Sequence, residues 1–90
     1  MAKSETEAQH KQAFIARVKA ARTARGWTQL QLAEALGMEQ SRYKQYETRS
    51  YLPLHVIGRF SLICGVNPGW LVTGHGERSP KPTQRVKAEN

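Results

Sequence analysis

Phe14, Ile15, Val18 and Ala21 recur at the three- and four-residue steps of one helix face, and the run stops at Gly26. A first helix over roughly residues 11–25 follows from that stripe. Residues 1–11 are polar, lack a periodic apolar face, and are expected to form a flexible segment that frays or loosely extends this helix. Thr28 and Gln31 form a capping box, in which the threonine oxygen accepts from the third backbone N–H and the glutamine returns to the cap. The second helix starts there, carries Leu32, Ala33 and Leu36 inward, and closes at Gly37. A polar helical segment follows with Tyr43 and Tyr46 on one face. Thr48 to Pro53 reads as a loop, because Pro53 is tolerated at a helix start and pushes Leu52 out of helical geometry. Val56, Ile57, Phe60, Ile63 and Cys64 give a fourth helix an apolar face that ends at Gly65. A short fifth helix begins near Asn67, with Pro68 in its first position, and ends at Gly74.

These elements predict an all-α, compact, five-helix domain over residues 12–74. Residues 75–90 hold two prolines, four basic residues and Val86 as the one sizeable aliphatic, the composition of a basic, disordered tail. No internal repeat and no alternating segment argues for a strand.

Charge narrows the partner. Lys and Arg number 14 against 7 acids, a net +7, and such a field attracts polyanions. Eight of the cations and three of the acids fall within residues 13–73, so the folded part is itself basic. The single cysteine, Cys64, cannot form an internal disulfide and sits on an apolar helix face as an inert small hydrophobe. Histidines at 10, 55 and 75 lack metal-ligand spacing, so neither metal nor cofactor is expected. With no apolar run near the ~18 residues of a membrane span and no signal-peptide core, the expected setting is the cytoplasm. An enzyme is not expected either: a phosphate-cradling glycine loop and a nucleophile paired with a base are both missing from the sequence.

Two short helices joined by a tight glycine-containing turn make a helix-turn-helix, which sets its second helix into the major groove of DNA while the first crosses the backbone. Ala33, Gly37 and Tyr43 stand where that unit needs a small residue, a residue able to take positive φ, and an apolar wedge. Residues 28–47 are therefore the docking unit. The run Gly26-Trp27-Thr28-Gln29-Leu30-Gln31-Leu32-Ala33-Glu34-Ala35-Leu36-Gly37, followed by Tyr46-Glu47, Gly65-Val66 and Trp70-Leu71, resembles the Cro/C1-type helix-turn-helix domain of phage repressors and xenobiotic-response-element regulators. The resemblance covers about residues 13–74 and implies a lambda-repressor-like fold.

It also implies roles by position. Gln40, Ser41, Lys44 and Gln45 match the groove-facing positions of the recognition helix. Glutamine pairs bidentately with adenine, lysine donates to guanine O6 and N7, and serine suits either. Gln29 matches a phosphate contact that braces the recognition helix, Arg42 a position flanking the phosphates, and Arg49 with Ser50 the loop that touches the backbone beyond it. Arg22 and Glu47 match a partly buried structural ion pair. Two residues depart from the pattern. Glu39 replaces the usual serine or threonine cap, which predicts a slightly late start for the recognition helix. Tyr43 is bulkier than the usual valine or isoleucine and is expected to tilt that helix.

Each assignment has a plainer alternative. The polar recognition face equally describes a solvated helix surface, and Gln29 an ordinary helix starter. Arg17, Lys19, Arg25 and Arg59 read as solvent-facing charge, His55 and His75 as surface residues, and Tyr46, Trp27, Phe60 and Leu71 as core. Trp70 is either core or part of a dimer contact, and Tyr51 and Leu52 are further dimer-contact candidates. The expected function is a sequence-specific double-stranded DNA-binding transcriptional regulator, a repressor, acting as a homodimer on a near-palindromic operator. The alternative is an antitoxin or adaptor that uses the same fold chiefly to hold a protein partner.

Overall fold

The computed structural model describes residues 6–79 and is all α-helical there: α1 (Glu7–Ala24), α2 (Gln29–Leu36), α3 (Gln40–Gln45), α4 (Leu54–Cys64) and α5 (Pro68–Thr73). The expected tail beyond Ser79 lies outside the described residues.

Helix α1 begins at Glu7, earlier than the apolar stripe implied. The reason is a second capping box: the Thr6 hydroxyl accepts from Gln9 N–H, and the Gln9 side chain accepts from Thr6 N–H. Phe14, Val18 and Ala21 of α1 then turn into a common core with Leu32 and Ala33 of α2, Tyr43 of α3, and Val56, Phe60 and Cys64 of α4. Full burial of each large apolar side chain contributes ~1.5–3 kcal/mol. Leu52, expected to offer surface to a partner, is instead 2% exposed. It belongs to the common core.

Arg17 also departs from expectation. It bends over the end of α5, where Nε donates to Leu71 O at 2.8 Å and Nη2 to Val72 O at 3.0 Å. The last carbonyls of a helix lack partners within it, and a cation suits that negative end. The chain leaving α5 then folds back. Asn67 N–H donates to Arg78 O at 2.7 Å and Asn67 Nδ2 to Glu77 O at 2.8 Å, while the Arg78 guanidinium lies 5.2 Å from the centre of the Trp70 ring. Trp70 is thus half-buried, with its ring covered by its own chain.

Candidate nucleic-acid interface

Thr28 starts α2 as its capping box predicts, the hydroxyl accepting from Gln31 N–H at 3.0 Å and the Gln31 side chain from Thr28 N–H at 2.9 Å. Gly37 ends α2 at φ 75° and ψ 33°, left-handed geometry that costs other L-residues ~1–2 kcal/mol. Its N–H donates to Glu34 O and that of Met38 to Ala33 O, which turns the chain sharply into α3. Glu39 makes no side-chain cap, yet its carbonyl accepts from Arg42 and Tyr43 N–H, both at 3.1 Å. The helix therefore starts directly at Gln40, without the expected delay. Thr48, Arg49 and Ser50 wind back so that all three N–H groups point at Gln45 O, fixing the loop that leaves α3.

The six residues of α3 divide cleanly. Tyr43 is fully buried, whereas Gln40, Ser41, Arg42, Lys44 and Gln45 are all exposed. Arg49 is exposed next to them and Ser50 is half-buried. Tyr43 anchors the helix, and its other residues present amides, a hydroxyl and cations to solvent.

The anchor is a polar cluster inside the core. Arg22 grips Glu47 side-on, Nε to Oε2 at 2.6 Å and Nη2 to Oε1 at 2.9 Å, and its Nη1 donates to Trp27 O at 2.8 Å. The Tyr43 hydroxyl donates to Glu47 Oε2. Burial drives the Glu47 pKa up, but the hydrogen bonds from Arg22, Tyr43 and Gln29 outweigh it and hold the carboxyl below its usual range. Burial, reinforced by Glu47, pushes the Tyr43 hydroxyl far above its ordinary value, so the phenol stays protonated. Tyr43 thus brings its bulk and its hydroxyl to a ready acceptor, a role its apolar position did not announce.

Gln29 sits elsewhere than a purely phosphate-facing reading implies. Its Nε2 donates to Glu47 Oε1 at 3.0 Å, tying the start of α2 to the end of α3. The amide nitrogen carries two protons, of which this bond uses one. His55 and Arg59 are at the surface, as expected, and lie together. These exposed residues, one turn apart on α4, line the same shallow concavity as Arg42. Their spacing of four was the available signal.

The dimer-contact candidates are partly occupied within the chain. Besides Leu52 and Trp70, the Tyr51 ring lies 5.4 Å from that of Phe14 and 6.1 Å from that of His10, with Lys11 Nζ at 5.6 Å, leaving the residue 38% exposed. Cys64 is buried, and burial pushes its thiol up to about 11 despite nearby Arg25 and Arg22, so the reactive thiolate is scarce at neutral pH. No helix among the described residues is long and apolar enough to cross a membrane.

An anchored, outward-facing second helix joined to α2 by a glycine turn defines a helix-turn-helix protein. Residues 18–71 match the helix-turn-helix family model of the Cro/C1 type, and the chain belongs to that family, whose domains are DNA-binding and regulatory rather than enzymatic. Among curated proteins and among solved structures the chain has no significant match.

Proposed function

We propose that this protein represses transcription by binding specific double-stranded DNA as a homodimer on a near-palindromic operator. The observation that carries this reading is the division of α3, with Tyr43 locked inward while Gln40, Ser41, Lys44 and Gln45 are all exposed. These four side chains read base edges in the major groove. Gln29, Arg42, Arg49 and Ser50 hold the phosphates and set register, and Arg59 extends the cationic rim beside Arg42, with His55 as a further polar side chain there. Repression follows from occupancy, since a domain seated on the groove and both flanking backbones excludes other proteins from that stretch.

Selection from a random DNA pool tests the reading directly. The expected product is an inverted repeat with half-sites one helical turn apart, ~34–36 Å. A selected pool that never exceeds shuffled DNA by tenfold in competition excludes specific readout, and a lone asymmetric site excludes the symmetric dimer. An operator placed within a promoter should lower transcription in a purified system, and an increase would exclude repression.

A further inference from the structure

Leu54 and Leu62 are the two most exposed large apolar residues described, at 84% and 81%. They stand four residues either side of Gly58 on α4, so Leu54, Gly58 and Leu62 form one ridge along the outer face of that helix. Gly58 has no reason within the chain to lack a side chain. Its φ is not in the left-handed region, and an added Cβ would meet nothing within 4 Å. Glycine in a helix interior weakens the helix relative to alanine, so its presence there fits a requirement from outside the chain, the close approach of another backbone. Beside Leu62 the surface is hollow: Gly58, Ser61, Leu62, Gly65, Val66 and Pro68 are among the residues lining an apolar concavity of about 310 Å³.

We propose that this face docks a second copy of the chain, the two α4 helices crossing antiparallel at Gly58. The inference deepens the homodimer reading above and rests on it for its role at an operator. A knob, Leu54, lies N-terminal to Gly58 and a hollow, beside Leu62, lies C-terminal to it. A two-fold axis through Gly58 therefore brings each knob to the other copy's hollow in both directions at once, the self-complementarity that a symmetric contact requires. The ridge residues and the lining of the hollow carry no ionised side chain, so the apolar contact itself buries no cation and Arg59 stays at its flank. Arg59, with His55 one turn before it, lines the concavity shared with Arg42 on the flank of the same helix. Repulsion between two such chains falls when DNA phosphates neutralise them, so the contact is stronger on DNA than in free solution.

Gly58→Cys tests the geometry, because the axis places this position opposite its own copy, and the open space at Gly58 accepts the side chain. On mild oxidation the free G58C protein should give a covalent dimer at least tenfold more readily than Lys19→Cys, an exposed position on α1, or the wild type with its buried Cys64. The double variant Leu54→Glu/Leu62→Glu replaces two exposed residues and should keep the wild-type helical content and melting temperature. It should associate at least tenfold more weakly in sedimentation equilibrium, bind one half-site like the wild type, and lose cooperative filling of two. Crosslinking of G58C no better than K19C overturns the proposal, as does unchanged association or unchanged cooperativity in the double variant. Copurification of a different protein that the double variant fails to hold also overturns it. If the dimer forms through α4 but selects no DNA, the surface stands and the proposed function fails.

Discussion

Arg22 and Glu47, separated by 25 residues, meet side-on with both carboxylate oxygens engaged, and Glu47 also receives Tyr43 and Gln29. Glu47 thereby joins α1, the start of α2 and the end of α3 at one buried point. Its neighbours orient the recognition helix without touching its outward face. Removing either ion leaves the other desolvated without its ionic partner, which costs ~3–5 kcal/mol. Glu47→Ala and Arg22→Ala should each lose about that much in urea unfolding. Arg22→Lys should fall short of rescue, because an ammonium cannot supply the two-pronged contact. Any loss of DNA binding in these variants should track the folded fraction, with the preferred base sequence unchanged.

The same carboxylate sets the acid limit. Its folded pKa lies below the ordinary carboxylate value, so its contribution to stability is complete above the unfolded value of ~4.3 and disappears as pH falls through the lower folded one. Melting temperature should thus fall as pH drops below about 5 in the wild type. Glu47→Gln should start from a lower melting temperature at pH 7 and lose less over that window. Parallel wild-type and variant curves would assign the acid sensitivity to other carboxyls.

Residues proposed to read bases and residues proposed to hold phosphates should separate by how their loss is felt. Lys44→Ala and Gln40→Ala should each cost ~1–3 kcal/mol on the selected operator and relax the preference at one base position. Arg42→Ala and Arg49→Ala should weaken binding to all sequences alike and reduce the slope of log affinity against log salt by ~1 each. Arg59→Ala should behave as Arg42→Ala does, given their shared concavity. Titrations on operator and shuffled DNA at several salt concentrations distinguish the two kinds.

Features visible in the sequence were those determined by neighbours in the chain. Thr28 and Gln31, Gly37, and Pro68 act within a turn or two, and the structure places them as their local chemistry requires. Thr6 and Gln9 are equally local, but no apolar stripe beside them marks a helix to be capped. Long-range contacts left no such trace. Arg17 reaches Leu71 across 54 residues, and Arg78 reaches Ala20 across 58, so spacing alone left the former as a solvent charge. Leu52 lies in a loop, where periodicity says nothing of direction. At the candidate site, family resemblance supplied the pairing of Arg22 with Glu47. The Tyr43 hydroxyl and Gln29 amide on that pair became legible only when three helices were brought together.

Ser61 offers a last test, of the core itself. It is 3% exposed on α4, and its hydroxyl has no hydrogen-bond partner among the described residues. A buried polar group left unmade costs ~1–3 kcal/mol, while Ser→Ala removes a single oxygen and leaves little room to fill. The backbone carbonyl of Ser61 still accepts from Val66 N–H at 3.0 Å, so the end of α4 does not depend on the side chain. Ser61→Ala should therefore stabilise the domain by about 1 kcal/mol, a rise of ~4–8 °C in melting temperature for a domain of this size. A fall of similar size would show that the hydroxyl has a partner in solution, and that the hollow beside Leu62 is more polar than its lining suggests.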